Sequence, residues 1–434
     1  MGSLDYFKPQ ELSNTVWAFA RIGVPNPELF KKVGDHIAGL DSLEWFHPQD
    51  LSITAWAFAT AGVSHPGLFK KIGDHVAELG SLGPFHSQAL SNTAWAFATA
   101  GVSHPELFKK IEDHVAGLGS FDSFNSQALS NTAWAYATAR RFYRRLFEKL
   151  VTEATVKKDR FNEQVISNFL WACATVGYTD ERLFAAFAPV IASKLDKCNE
   201  QQLATIAWAY TVANVPEQNL FNEGYVSACA SRESAFLEEG LVQLHQWQLW
   251  QQELESGIEL PQSLQERCRH AFVSQGYSES KLQDDVVREL KAAGLDVDEE
   301  VLLRSGYRID AVVEVGDGRK VAVEVDGPFH FIERRPMGRT ILKHRQVVRL
   351  DRIEVMSVPY WEWNELENSV AKQHYLRKKT PPEENDEVDL PSNDQNLDEA
   401  QLASMTVPQL KEKLKEAGKP VSGRKSELIE RLLS

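Results

Sequence analysis

The sequence predicts a multidomain chain: an all-α, right-handed solenoid of helical pairs, then an α/β domain, then a small helix–extended–helix module. Three observations lead to this prediction. A block repeats every 37–39 residues through the first half, a strand pattern replaces it beyond Leu260, and an acidic run precedes the final segment. With 434 residues, of which 43% are hydrophobic, the chain is long enough for several separate cores.

One tryptophan in the first helix of each unit marks the repeat. These residues are Trp17, Trp56, Trp95, Trp134, Trp171 and Trp208, spaced by 39, 39, 39, 37 and 37 residues. Such a period is typical of a solenoid, because one helical pair can bury its apolar face only against its neighbours. We assign about six units to residues 1–233, and interpret residues 234–261, around Trp247, as a degenerate cap and connection.

Two sets of repeat positions are candidates for function. Aromatic stripes at helical spacing are usually packing residues, so we expect the tryptophans and phenylalanines in the core between repeats. The position three residues before each tryptophan lies off that stripe and varies. It is occupied by Asn14, Ile53, Asn92, Asn131, Asn168 and Thr205. A variable side chain on a constant frame suits base-by-base RNA recognition and equally a protein-binding groove.

The string "LSNTAWAFA" and the period resemble octotricopeptide repeats, related to those of FAST-kinase proteins, over roughly residues 1–230. The resemblance implies an RNA-binding array in a mitochondrion or chloroplast, with Asn14, Asn92, Asn131 and Asn168 as RNA contacts. It also implies roles in rRNA or mRNA maturation, mRNA stability or ribonucleoprotein granules. The first ten residues, MGSLDYFKPQ, show no transit-peptide pattern.

Beyond Leu260 the pattern predicts the element order αβββαβα. A capped helix over residues 281–294 is followed by three strands, with turns at Gly306 and in "GDGR" (316–319). A helix in "GRTILKHRQVVRL", a strand in "EVMSVPYWEW" and a closing helix complete the domain.

Three carboxylates are placed together by this order. In "KVAVEVDG" Glu324 and Asp326 alternate with valines, so they share one face of the strand about 7 Å apart. Asp310 lies near the start of the neighbouring strand. Such carboxylates can hold the divalent metal of a phosphodiesterase, or they are strand-end acids paired with Lys343 or Arg345.

A basic stretch stands out in a chain of formal net charge −14. Between Arg334 and Arg352 there are seven Lys or Arg residues and one acid, Asp351. On a helix they form two ridges that can neutralise phosphates without reading sequence, although a solvated helix face gives the same pattern. The candidate RNA contacts are Arg339, Lys343, Arg345 and Arg349.

The strings "VEVDGPFHF" (323–331) and "TILKHR" (340–345) resemble the RAP domain, which we place at residues 262–379. The resemblance implies a relative of the PD-(D/E)xK nuclease fold. It also implies an RNA-contacting domain that cleaves RNA only if its metal site is intact.

Matched residue by residue, Asp310 and Glu324 take the places of the two motif acids and are the candidate metal ligands. Asp326 stands where the nucleases have a lysine, and His330 is a candidate proton shuttle. We expect binding that requires no cofactor, with Mg²⁺ or Mn²⁺ needed only for catalysis. The catalytic candidates are Asp310, Glu324, Asp326 and His330, and a metal-dependent endoribonuclease is the alternative function.

An acidic stretch, residues 380–398, predicts a disordered linker. Residues 399–434 resemble the SAP domain through "TVPQLKEKL" and "SGRKSELIERLL". This implies nucleic-acid contact at a helix N-terminus by Gly423, Arg424 and Lys425, with DNA as a further ligand. A protein-docking hairpin is the alternative.

The remaining composition limits the function classes. No run of eighteen apolar residues exists, so we expect no membrane partner. The four cysteines are far apart and predict buried, reduced thiols. The combined expectation is an RNA-binding protein of organellar RNA processing, acting on single-stranded or structured rRNA or mRNA. A protein scaffold with no nucleic-acid role is the second alternative.

Overall fold

The computed structural model describes residues 4–24, 26–276, 280–315 and 318–380, together with Leu410 and Leu414. The chain divides into two compact units, Met1–Thr380 and Pro381–Ser434. In the second unit Leu410 and Leu414 are helical and buried. The predicted linker beyond Thr380 and the predicted contacts Gly423, Arg424 and Lys425 lie outside the described residues.

The helical pairs begin at Pro9 and end at Val273. In chain order the helices are α1 (Pro9–Arg21), α2 (Pro27–Gly39), α3 (Pro48–Thr60), α4 (Pro66–Glu78), α5 (Ser87–Thr99), α6 (Pro105–Gly117), α7 (Ser126–Thr138), α8 (Arg144–Val156), α9 (Glu163–Thr175), α10 (Glu181–Ala192), α11 (Glu200–Ala213), α12 (Glu223–Ala230), α13 (Glu238–Glu253) and α14 (Gln262–Val273). The odd-numbered helices pack on one another in succession from α1 to α13. The even-numbered helices from α2 to α10 pack on one another in a second layer. The predicted helical-repeat array is therefore confirmed.

Aromatic side chains join the first four repeats to one another. An aromatic ring from an odd-numbered helix meets, edge-on, a phenylalanine of the preceding even-numbered helix, with ring centroids 5.0–5.2 Å apart. The pairs are Phe30–Phe58, Phe69–Phe97 and Phe108–Tyr136. Each of these side chains is fully buried, which contributes roughly 1.5–3 kcal/mol per residue. The phenylalanines are thus core residues, as the periodicity predicts.

The odd-numbered helices from α1 to α9 each end two residues before a left-handed backbone position, and α11 ends one residue before such a position. Glycine occupies this position at Gly23, Gly62, Gly101 and Gly177, with φ of 65–69°. The two other repeats place Arg140 (φ 53°) and Asn214 (φ 55°) there. A side chain in this conformation costs on the order of 1 kcal/mol, so Arg140 is a strained exception to the repeat.

The α/β domain follows the predicted order. Its elements are α15 (Lys281–Ala292), β1 (Asp296–Leu302), β2 (Arg308–Glu314), β3 (Lys320–Asp326), β4 (Phe331–Ile332), β5 (Arg335–Pro336), α16 (Gly338–Gln346), β6 (Glu354–Pro359), α17 (Tyr360–Asn364) and α18 (Ser369–Lys379). The main sheet has the order β1-β2-β3-β6, with β6 parallel to β3 and the other pairs antiparallel. The short β4–β5 hairpin and α17 were not anticipated.

Helix α13 joins the array to the sheet. Its side chains are buried almost continuously from Gly240 to Gln251, glutamines included. Gln246 donates through Nε2 to the Tyr307 hydroxyl (2.9 Å), and His245 donates to the Ser305 carbonyl (3.0 Å). The polar sequence interpreted as a degenerate cap is therefore an internal joint, whose polar groups bond to the α/β domain rather than to solvent.

A shared core crosses this joint. Leu249 of α13 and Phe272 of α14 pack with Ile309, Val312 and Val347 of the α/β domain. On its other side α14 belongs to the core of the repeats. The array and the sheet are thus parts of one packed body.

The described cysteines, Cys173, Cys198, Cys229 and Cys268, are all buried and free. Burial raises the pKa of Cys198 to about 11, so its thiol stays protonated and unreactive at neutral pH. Within the described residues, no helix is both long and apolar enough to cross a membrane.

Gly338 allows the closest approach between the two parts. A Cβ atom added to Gly338 would lie 2.0 Å from the Ala174 carbonyl oxygen at the end of α9 and 2.9 Å from a methyl of Val212. No side chain can occupy this space without moving backbone. Gly327, in the same domain, has nothing within 4 Å of the equivalent position.

We therefore expect Gly338→Ala to destabilise the folded chain by roughly 1–3 kcal/mol, because overpacking must separate α16 from α9. Gly327→Ala is the matched control and is expected to leave the unfolding midpoint nearly unchanged. Urea unfolding monitored by tryptophan fluorescence measures both. Equal midpoints for the two variants would contradict this account of the joint.

Candidate functional site

A groove runs across the first four odd-numbered helices. It has a volume of about 840 Å³ and is formed by successive repeats rather than by loops. The lining residues are Asn14, Trp17, Arg21, Gln49, Ile53, Trp56, Gln88, Asn92, Gln127 and Asn131. Among these lining residues Arg21 carries the single charge, so the surface offers rings and amides.

The tryptophans form a ladder beside this groove, which we call the tryptophan ladder (Trp56, Trp95, Trp134 and Trp171). Successive ring centroids are 6.4, 6.1 and 6.3 Å apart, with interplanar angles of 30–33°. These rings are half-buried, and Trp17 is 43% exposed. The prediction that the tryptophans are core residues holds only in part for the four ladder rings, which pack against the core of the repeats but keep part of each ring exposed, and it is wrong for Trp17. Trp208 is buried.

Amide side chains flank the ladder. The predicted Asn14, Asn92 and Asn131 line the groove, and Asn168 continues the series on α9. Thr205, by contrast, is buried and donates a hydrogen bond to Gln243 of α13 at 3.4 Å. The series of exposed positions therefore closes at the sixth repeat.

A second column of amides was missed in the sequence. Seven residues before each tryptophan, two helical turns away on the same face, every repeat has glutamine. The column consists of Gln10, Gln49, Gln88, Gln127, Gln164 and Gln201. Gln127 donates to the Asn131 side chain at 2.7 Å, and Gln164 donates to Asn168 at 3.0 Å. These bonds hold the variable asparagines in one orientation.

In the α/β domain β3 places Glu324 and Asp326 on one face, as predicted. Burial raises the pKa of Glu324 to about 8, although Lys343 opposes this effect. Burial alone would also raise the pKa of Asp326, but polar contacts with His330 and Ser357 outweigh it and lower the pKa. The pKa values of the two carboxyl groups are therefore shifted in opposite directions.

Asp310 is differently engaged. Its carboxylate accepts a hydrogen bond from the backbone N–H of Val325 at 2.7 Å, which ties β2 to β3. Burial raises the pKa of Asp310, partly offset by that bond.

Helix α16 supplies the cationic side of this cluster. Lys343 Nζ lies 2.7 Å from both Glu324 carboxylate oxygens and hydrogen-bonds Oε2. His330 Nδ1 lies 3.0 Å from Asp326 Oδ1, and His344 Nε2 lies 3.8 Å from Asp326 Oδ2. His344 was not among the candidates from the sequence. It adjoins Lys343 in a basic stretch that we interpreted only as a phosphate-binding surface.

The other three predicted phosphate contacts, like Lys343, have internal partners. Arg345 donates to Glu253, whose side chain is fully buried, at 3.1 Å and to the Thr211 carbonyl at 2.6 Å. Arg349 lies 3.4 Å from the same Glu253 oxygen but is half exposed. Arg339 donates to the Phe329 carbonyl at 2.6 Å and remains exposed. Arg345 thus fastens α16 to α11 and α13.

Exposed arginines collect instead where the fourth repeat meets the α/β domain. The Arg140 guanidinium lies 4.1 Å from the Phe329 ring centroid, and that of Arg335 lies 4.2 Å from the Phe142 ring centroid. We call this set the junction arginines: Arg140, Arg335 and Arg339. The signal in the sequence is "ARRFYRR" (139–145), which replaces the "AGVSHPE" of the preceding repeat.

The fold and these surfaces define a class: a helical-repeat protein whose array is packed against an α/β domain with a four-stranded mixed sheet. Family models then match three segments. The RAP domain model matches residues 323–379, the SAP domain model matches residues 401–434, and a model described as RNA-editing substrate-binding complex 6 protein matches residues 85–232. The chain therefore carries a RAP domain and a SAP domain, and its repeats are similar to that RNA-editing protein. The RAP match includes Glu324 and Asp326 but begins after Asp310.

Substitution of Arg345 tests whether this residue stabilises the fold rather than contacting RNA. We expect Arg345→Met to destabilise the chain by roughly 3–5 kcal/mol, because Glu253 is left buried without its main cation. Arg349→Met, next to the same carboxylate but half exposed, should cost under ~1 kcal/mol. Thermal unfolding of both variants, without RNA, measures the difference. A stable Arg345→Met protein would show that the pair with Glu253 is dispensable.

Proposed function

We propose that this protein binds single-stranded RNA along the tryptophan ladder and acts in RNA processing. One observation carries the proposal: flat, half-exposed indoles recur once per repeat beside asparagine and glutamine amides. Bases stack on aromatic rings, and amides bond to the edges of unpaired bases. A ligand that threads along repeats needs this alternation of ring and hydrogen-bonding group.

The junction arginines supply phosphate contact. Arg140 follows Trp134 by six residues and lies just beyond the end of α7. On this proposal an RNA that leaves the ladder at α7 meets Arg140, Arg335 and Arg339 next. Because these cations are stacked on rings or held by backbone, they are ordered before RNA arrives.

The compartment that we propose is the mitochondrion. The similarity of residues 85–232 to an RNA-editing complex protein supports organellar RNA processing, with rRNA or mRNA as the substrate. The SAP domain adds a second contact to RNA or DNA. The proposal assigns binding to this chain and not cleavage, because Asp326 occupies the place of the nuclease lysine. Binding along the ladder requires no cofactor.

Changing Asn92 and Asn131 to Ala should relax sequence preference by roughly 1–3 kcal/mol per lost base contact, without unfolding the array. Both residues line the groove, outside the core. Selection of RNA from a random pool by the wild-type and variant proteins measures the preference, and circular dichroism measures the fold.

Asn219→Ala, an exposed site on the loop before α12, is the matched control. An unchanged preference in the double variant would show that the groove does not read bases. Failure of the wild-type protein to enrich any RNA would favour the protein-scaffold alternative.

Arg140→Gly should weaken RNA binding yet stabilise the protein. Loss of one phosphate contact lowers the slope of log affinity against log salt by about 1. Glycine adopts the left-handed conformation without strain, so the free energy of unfolding should rise by on the order of 1 kcal/mol. Loss of the contact between Arg140 and Phe329 reduces this gain. Arg140→Lys retains charge and strain and is the control. Filter binding at several salt concentrations and urea unfolding give the two quantities; loss of stability with unchanged RNA affinity would assign Arg140 a purely structural role.

A further inference from the structure

Three metal-ligating side chains meet at the end of β3. Glu324, Asp326 and His344 each offer one ligand atom, and these atoms all lie within 4.8 Å of one another. The two acids come from alternate positions of the strand, and His344 comes from the facing helix α16. Two carboxylates and one imidazole, held on rigid elements, are a ligand set of the kind that binds first-row metals.

Each of these side chains also has one buried atom that makes no hydrogen bond. The atoms are Glu324 Oε1, Asp326 Oδ1 and His344 Nε2, and the Glu324 and Asp326 side chains are only 2% and 1% exposed. Lys343 Nζ and His330 Nδ1 lie 2.7 Å and 3.0 Å from the two carboxylate oxygens, whereas the nearest charged partner of His344 Nε2 is Asp326 Oδ2 at 3.8 Å. Leaving a buried nitrogen of this kind without a hydrogen bond costs roughly 1–3 kcal/mol. A cation that all three side chains approach would give this nitrogen a partner.

We propose that Glu324, Asp326 and His344 bind one divalent transition-metal ion, of which Zn²⁺ and Mn²⁺ are the representative probes. The imidazole ligand and the small number of oxygens favour these ions over Mg²⁺, which prefers six oxygens including several waters. The order of affinity expected from ligand chemistry is Zn²⁺ above Mn²⁺, with Mg²⁺ weakest.

This site differs from the one predicted by resemblance to nucleases. That prediction pairs Glu324 with Asp310, whereas the Asp310 carboxylate accepts the Val325 N–H and is not a member of the cluster. His344 takes the third position instead. The two hypotheses therefore separate on which variant loses the metal.

Lys343 provides a second test of the proposed metal site. Its ammonium shares the Glu324 carboxylate with the incoming ion, and two cations a few ångströms apart repel. Removing this charge in Lys343→Met should strengthen metal binding, since a competitor is lost. A lysine that merely maintained the fold would give weaker binding when removed.

The experiment titrates the full, chelator-treated chain with Mn²⁺ and detects free ion by electron paramagnetic resonance, which avoids thiol complexes of Zn²⁺. We expect one saturable site. His344→Gln and Asp326→Asn should each weaken it by about 10–100-fold, a range found even for residues that only support metal ligands. Asp310→Asn should change it less than about threefold. His374→Gln, on the exposed side of α18, is the matched histidine control.

The unfolding midpoint of every variant, measured without metal, separates loss of the site from loss of the fold. His344→Gln is the most informative variant because it leaves both buried acids in place. Competition by Zn²⁺ but not by equal Mg²⁺ is the expected selectivity. Absence of saturable Mn²⁺ binding by the wild-type chain would overturn the proposal. Equal binding by folded His344→Gln, or loss of binding in folded Asp310→Asn, would overturn it too.

Discussion

The stacking of each helical pair on the next is the interaction on which the rest of the structure depends. No single pair can bury its apolar face, so each repeat must present the same face to its neighbour. Phe58 and Phe97 satisfy this requirement from one side of the odd-numbered helices. The opposite side is thereby repeated as well, and a residue that packs on the core with part of its ring exposed, such as Trp95, becomes one rung of a ladder. The proposed binding surface is thus a consequence of the core.

A second consequence follows at the end of the array. The last repeats face the α/β sheet instead of solvent, so α13 carries buried glutamines and shares a core with Ile309 and Val312. Gly338 removes the side chain that would separate the two layers. The ladder and the carboxylate cluster are consequently held at a fixed separation. A ligand bound to one part lies at a defined distance from the other.

The sequence predicted the repeats, the element order and the shared face of Glu324 and Asp326, because periodicity and strand alternation are local properties. It did not predict the exposure of Trp95, since an apolar stripe has the same spacing whether a second layer covers it or not. It also suggested phosphate contact for Arg345, whose partner Glu253 is 92 residues away in sequence. Partners so distant follow from the tertiary packing of α13 and cannot be inferred from spacing.

The distribution of positive charge shows how the two parts act together. In an acidic chain of net charge −14, Arg345 and Lys343 are directed at the buried acids Glu253 and Glu324, where they compensate charge that burial would otherwise destabilise. Cations available to a polyanion must come from elsewhere. One set of exposed arginines includes Arg140, in the strained position at which the fourth repeat differs from its neighbours. The other set lies beside the β4–β5 hairpin. The Arg140–Phe329 and Arg335–Phe142 contacts bring the two sets together, so the phosphate contact that we propose at the junction draws on both the array and the RAP domain.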